Sequence, residues 1–481
     1  MAKVGRSVIH STIANLGSIG MSIAIVIIVS RLLPPQMVGV FVMAFAVVFF
    51  IDQLREFQLP SWVAQLTVIN RDTIAPVRFM AFVTTGLAIA ACLISALLFH
   101  FIADRGEVAR CIAIMAAGLI LRPWSQPAMA ILQRDMRYGS VAAIRLLASV
   151  IRLAITVGLI VFADLGAEAL AWGVVAEFSA EFAAIALVKP ELRNVAPGKQ
   201  GLSNLVRFCA QYTAATTLIQ IAVAIAPLLI GGYHGFAMAA LYNRGTAVTR
   251  LLRSGVERAV LLIAMTQFAQ LREDLTRLRA RYLASLGMLT SVSWPALALF
   301  VLLAHPVVLI LFGPAWRGTA PLAQFLGLGA MIHAGTALSH QVHAAVGNTA
   351  RIMRREIADQ GMIVAVVVAT APFGALPLVK AMLAASFVSY GLHYALLRRE
   401  IGMRVSEYIA AVSRSVTLTI GTLVGTSLVL VMLKAMPRNL WELTLVVAGG
   451  GAGWIAMALA VRSPLLAEFR ALFASTGHRS V

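Results

Sequence analysis

Long apolar stretches recur along almost the whole 481-residue chain, separated by short polar breaks. A membrane helix needs about 18–20 consecutive apolar residues, and most of these stretches are near or above that length. None shows the alternating segments of about ten residues that mark a membrane strand. The pattern therefore predicts an all-α polytopic membrane protein with about fourteen spans. They run 8–33, 39–59, 78–102, 109–130, 140–163, 168–188, 207–231, 236–268, 282–304, 319–346, 356–373, 376–397, 408–433 and 440–461. Pro34-Pro35 stops the first span, and Pro227, Pro295, Pro372 and Pro377 predict kinks or helix ends. The longest break of the first half is KPELRNVAPGKQGLSNLVR, and residues 462–481 form a polar tail. Lys3 and Arg6 precede the first apolar run as they would in a signal peptide. That run continues without a convincing small-residue cleavage site, so we expect a retained first span.

Composition narrows the class. Charged residues make up 12% of the chain and the mean hydropathy is +0.88, values outside the range of soluble domains of this size. The net charge of +19 raises the question of nucleic acid, but the distribution excludes it as a partner. With the N-terminus inside, 24 of the 39 Lys and Arg residues fall in cytoplasmic segments and seven in outer ones. That is the positive-inside asymmetry of a multi-pass membrane protein with both termini cytoplasmic. The loops are too short for a separate catalytic fold. No nucleophile elbow, phosphate-binding glycine loop or metal motif appears, so no enzyme activity and no cofactor are expected. Cys92, Cys111 and Cys209 lie in or beside apolar runs without metal or redox spacing, and read as packing residues.

A weak internal repeat divides the chain. A shift of 208 residues lays Gly166 over Gly374 and Leu170 over Leu378; a shift of 201 lays Phe41 over Tyr242 and Glu56 over Glu257. We read a six-helix half over 1–195, a second over 196–405, and two further helices with a short tail over 406–481. The two pseudo-symmetric halves would enclose a central cavity.

The eight remaining cations are Arg55, Arg122, Arg145, Arg152, Arg244, Arg250, Arg253 and Arg258, all inside apolar spans. An arginine at mid-bilayer costs about 3 kcal/mol or more, so such residues line wet cavities or pair with acids. Arg250, Arg253 and Glu257 share one helical face by spacing. Arg244 and Arg250 read as cavity lining; Arg253 reads either as lining or, if the eighth span ends near 252, as solvated together with Arg258. Arg145 and Arg152 are seven apart on the fifth span, with Glu177 and Glu181 on the sixth; an Arg152–Glu177 ion pair competes with a binding role. Asp52, Arg55 and Glu56 cluster on the second span, self-neutralising or completing the cavity. Arg122 precedes Pro123, where the helix is expected to break. His333, His340 and His343 on the tenth span lack an accompanying acid or thiol and read as hydrogen-bonding or cavity residues rather than metal ligands.

Several segments carry a resemblance. VSRLLPPQMVGVFVMAFAV at 29–47, with Arg31, Leu33-Pro34 and Gly39-Val40-Phe41, resembles the opening signature of the bacterial oligosaccharide flippases. These form the polysaccharide transporter branch of the multidrug/oligosaccharidyl-lipid/polysaccharide exporter superfamily. AILQRDMRYGSVAAIRL at 130–146, ALYNRGTAV at 240–248 and LILFGPAWRGTAPLAQFL at 309–326 are similar to further family segments. Leu33 stands where the family often has glycine, and IQIAVAIAPLLIGG in the seventh span lacks the acid many relatives carry there. The resemblance implies translocation of a polyprenyl-diphosphate-linked oligosaccharide, a precursor of lipopolysaccharide or exopolysaccharide, by alternating access. Arg55, Arg122, Arg145, Arg152, Arg244, Arg250 and Arg253 would bind the anionic head, with Asp52, Glu56, Glu177, Glu181 and Glu257 for coupling or ion pairing. The partners it admits are the lipid-linked substrate, membrane lipids, a polysaccharide polymerase and other assembly proteins. The rival readings are a multidrug or cation exporter of the same fold, a membrane-embedded polymerase or ligase, and a non-transporting scaffold.

Overall fold

The computed structural model describes residues 17, 20–188, 195–347 and 349–461, without the side chains of 215, 254–256, 258, 259, 262, 263, 266 and 349–353. Part of the first predicted span, part of the long polar break, the Arg258 side chain and the polar tail lie outside the described residues.

Every regular element among the described residues is helical. In the first unit these are α1 (Gly20–Leu32), α2 (Pro35–Glu56), α3 (Leu59–Gln65), α4 (Arg71–Phe101), α5 (Gly106–Gly118), α6 (Arg122–Arg134), α7 (Tyr138–Ala163), α8 (Ala167–Val188) and α9 (Leu202–His234). Next come α10 (Phe236–Gln270), α11 (Leu275–Phe312), α12 (Thr319–Ala334), α13 (Ser339–Val346), α14 (Thr349–Thr370), α15 (Ala375–Ile401), α16 (Val405–Leu433) and α17 (Leu440–Ala460). By contact the chain forms two compact units, Met1–Ala240 and Leu241–Val481. The division falls within α10, and α9 belongs to the first unit.

Twelve segments among the described residues are long and apolar enough to cross a membrane, against about fourteen expected. Of the first span, the described residues include the short apolar helix Gly20–Leu32. The eighth span is present as α10 but carries Arg244, Arg250, Arg253, Glu257 and Arg258, which hold its hydropathy down. Three spans are broken rather than continuous. Phe57 and Gln58 take left-handed φ values of 46° and 51° between α2 and α3. A short 3-10 turn over Leu119–Leu121 separates α5 from α6, and α12 gives way to α13 after Ala334. Pro227 and Pro295 sit inside α9 and α11, Pro372 lies in the 3-10 turn that ends α14, and Pro377 is in the first turn of α15.

Within the first unit α2 packs against α4, α5, α8 and α9, while α7 leans on α8 and α3 on α6. Gly39 shows how tight this is: a Cβ there would stand 1.8 Å from the Phe236 carbonyl oxygen. Glycine at 39 therefore lets α2 meet the α9–α10 corner backbone to backbone. Arg105 fastens the same corner. Its guanidinium donates to the Gly231 and Gly232 carbonyls at 3.0 and 3.1 Å, unsatisfied groups at the C-terminal end of α9, and lies over the Phe236 ring.

In the second unit α11 is central, against α12, α16 and α17. Helix α16 shows how a membrane helix sorts its faces. Val416, Ile420, Val424, Leu428 and Val431 form an exposed apolar row, suited to lipid. Ser415, Thr419, Thr422 and Thr426 are buried. Each of these threonine hydroxyls donates to the carbonyl four residues back, so no polar atom enters the interface unsatisfied. Ser415 meets Thr290 of α11 at 2.7 Å. On its other side α16 approaches α17 through facing glycines; a Cβ on Gly453 would lie 2.2 Å from the Gly421 carbonyl.

Candidate functional site

The charged residues of the first unit gather on α2, α6, α7 and α8. The i, i+3 spacing on α2 lets Arg55 Nε donate to Asp52 Oδ1 at 2.6 Å. Arg55 is only 4% exposed, and its other arm donates to Gln126 Oε1 of α6 at 2.7 Å. The Gln126 amide in turn donates to the Glu56 carbonyl at 3.1 Å. This satisfies the last turn of α2 where the span breaks. Arg122 opens α6 just before Pro123, so the break turns its side chain toward two acids: Asp52 at 3.5 Å and Glu181 of α8 at 3.2 Å. Its guanidinium also lies 4.0 Å from the centre of the Phe178 ring. Arg152 of α7 meets Glu177 of α8 at 2.8 Å. Arg145, two turns earlier on α7, is exposed and in electrostatic reach of Glu56 and Glu181.

Four arginines (Arg55, Arg122, Arg145, Arg152) thus stand among four acids (Asp52, Glu56, Glu177, Glu181) in the first unit. Three of the arginines hold carboxylates directly.

The second unit is balanced differently. On α10, Arg244 is 7% exposed and lies over the Trp316 ring at 5.3 Å. Arg253 pairs with Glu257 one turn on, at 3.4 Å, and His333 of α12 reaches the same carboxylate at 3.7 Å. Arg250 is exposed. Among the described residues, neither Arg250 nor Arg145 has an acid within ion-pair distance. Arg258, predicted as solvated, lies outside the described side chains.

A second polar group in this unit joins His340 and His343, which stand out in the sequence, to residues that do not. His393 on α15 contacts Asp359 and Arg355 of α14 and Ser339 of α13. His343 bonds Glu400 through its Nδ1, and His340 faces Glu356 at 3.6 Å. The acids expected to be lacking beside His333, His340 and His343 are thus present, supplied by Glu257 of α10, Glu356 of α14 and Glu400 of α15. Arg355 and Asp359 share one face of α14, but His393 and Ser339 reach them from other helices, so no spacing motif joins the group. Among the described residues no group of three His, Cys, Asp or Glu side chains is arranged to hold a metal ion.

The polysaccharide biosynthesis protein family matches residues 28–321. The chain belongs to that family. Its resemblance to the oligosaccharide flippases, carried by short segments at 29–47, 130–146, 240–248 and 309–326, is thereby met by a match across most of that region. Over 480 residues the chain is 20% identical to the lipopolysaccharide biosynthesis protein WzxC of Escherichia coli K12, covering 96% of this chain and 95% of the relative. Its fold is that of a solved lipid II flippase, MurJ, in an inward closed conformation. The TM-score is 0.76 at 11% identity, over 95% of this chain and 100% of that one. An inward-facing multidrug transporter of the same superfamily matches at a TM-score of 0.62 and 14% identity, over 79% and 94% of the two chains. The chain is therefore an all-helical, multi-pass membrane protein of the flippase and multidrug-transporter fold.

Proposed function

We propose that this protein is a flippase that carries a polyprenyl-diphosphate-linked oligosaccharide across the bacterial inner membrane by alternating access, with both termini in the cytoplasm. It acts as a transporter and not as an enzyme. The orientation is supported by the 24-to-seven distribution of basic residues between the two sides. The substrate class is supported by family membership and by the full-length likeness to a lipopolysaccharide biosynthesis protein.

The observation that carries the reading is Arg250. It lies on α10, is exposed, and has no acid partner among the described residues, although an unpaired cation in a membrane-embedded helix is costly. A diphosphate is a doubly charged acceptor suited to a guanidinium fork. Arg145 is the comparable cation of the first unit. Arg55, Arg122, Arg152 and Arg253 already hold carboxylates, and Arg244 is buried on Trp316. In this reading those five are held within their own units, Arg250 takes the diphosphate, and Arg145 is the first unit's candidate for the same chemistry. Further partners would be the polymerase and assembly proteins that receive the saccharide.

The cellular test is direct. Arg250→Ala is expected to abolish surface polysaccharide while the protein remains at its normal membrane level. Full polysaccharide from Arg250→Ala and from Arg145→Ala would remove the proposed ligands.

A further inference from the structure

The Asp359–His393–Arg355 group contains an internal conflict. His393 Nε2 lies 2.5 Å from Asp359 Oδ2 and 3.0 Å from Arg355 Nε. A carboxylate can only accept and a guanidinium can only donate. One ring nitrogen cannot serve both: as N–H it bonds Asp359, and as a lone pair it bonds Arg355.

The other ring nitrogen is settled. Ser339 Oγ lies 2.6 Å from the Thr336 carbonyl and must donate to it, so it accepts from His393 Nδ1 at 2.9 Å. Nδ1 therefore keeps its proton in both arrangements, and the exchangeable proton is the one on Nε2. His393 and Asp359 are 6% and 8% exposed, so neither contact is readily replaced by water. Arg355 has a second arm, Nη1, that is buried without a hydrogen-bond partner.

We infer that His393 Nε2 is a proton-binding site whose occupancy exchanges Arg355 between two partners. A proton from the aqueous phase adds to the Nε2 lone pair. The resulting imidazolium donates to Asp359, and Arg355 loses its acceptor on the ring and is left with Asp359 at 3.6 Å. Loss of the same proton returns Arg355 Nε to the ring. The remaining ionisable neighbours are tied elsewhere. On α13 and α14, His340 faces Glu356; His343 holds Glu400 of α15. Tyr390 of α15 donates to Tyr408 of α16, and His333 of α12 is with Glu257. Tyr282 of α11 and Tyr394 of α15 complete the surroundings as buried phenols. Asp359 is thus the acid on the imidazole and Arg355 the cation that competes with its proton. The chain shows no nucleotide-binding motif, so a proton site joining α13, α14 and α15 gives transport a means of coupling to a pH gradient. That last step rests on the flippase reading; the proton site does not.

The test uses the full-length protein in nanodiscs with isotope-labelled histidine, followed by NMR across about pH 5–8, the range in which imidazole changes charge near neutrality. The expected result is a pH-dependent imidazole signal that is absent in His393→Gln and whose titration is displaced in Asp359→Asn. If His393→Gln does not fold, Ser339→Ala, which removes the Nδ1 acceptor, identifies the signal instead. A His393 signal that does not change over this range, or that titrates identically in Asp359→Asn, overturns the site. In proteoliposomes holding a prenyl-diphosphate-linked sugar, a pH gradient should accelerate the wild type and leave His393→Gln at its ungraded rate. Equal acceleration of both refutes coupling through His393. Absence of any movement by the wild type refutes the flippase reading and leaves the titration result standing.

Discussion

Arg55 is the most fully committed of the membrane-embedded cations, and its removal has a calculable cost. Arg55→Ala deletes two bonds made by a charged donor: to Asp52 at 2.6 Å and to Gln126 at 2.7 Å. Each charge-assisted bond contributes about 1.5–3 kcal/mol. Asp52 keeps Arg122 at 3.5 Å, so the loss is partly absorbed. Breaking one side of a buried pair typically costs about 3–5 kcal/mol, because the remaining charge stays desolvated. For units of about 240 residues that corresponds to a fall of roughly 6–20 °C in apparent melting temperature. The assay is the temperature at which the detergent-purified protein leaves the monodisperse peak in gel filtration. The double variant Arg55→Ala, Asp52→Ala should melt above Arg55→Ala alone, since it removes the stranded carboxylate with its partner. If Arg55→Ala melts with the wild type, or if the second change lowers stability further, the network does not hold α2 to α6 as described.

Gly39→Ala should be destabilising by about 1–3 kcal/mol despite its small size, because the added Cβ would sit 1.8 Å from the Phe236 carbonyl; thermal unfolding in detergent measures it. Arg152→Glu should weaken α7–α8 packing by placing like charges at the 2.8 Å contact with Glu177, and adding Glu177→Arg should restore the melting temperature, read by the same assay.

Much of this architecture is readable from hydropathy because lipid-facing rows such as Val416, Ile420, Val424 and Leu428 must be apolar whatever their neighbours are. Local spacing also carries Asp52–Arg55, and helix adjacency carries Arg152–Glu177. The break at Phe57–Gln58 has no glycine at its two left-handed residues; Pro60 in the first turn of α3 is its one local signal, and hydropathy alone runs one span across it. The Arg105 clamp is made to backbone carbonyls, and no sequence pattern encodes an acceptor that every residue possesses. His393, Asp359, Arg355 and Ser339 come from three helices and meet only through packing. The opposite lesson comes from α10. Its charges look anomalous along the chain, yet Arg253 and Glu257 answer each other and Arg244 rests on Trp316, which isolates Arg250 as the cation needing another partner.

The central claim is tested most directly by reconstituting the purified protein in liposomes and measuring the leaflet exchange of a prenyl-diphosphate-linked oligosaccharide. The account predicts exchange by the wild type. It also predicts a loss of roughly 10-fold or more in Arg250→Gln, the equivalent of one charge-assisted contact to phosphate. Wild-type rates in both Arg250→Gln and Arg145→Gln, or no exchange by the wild type, would contradict it.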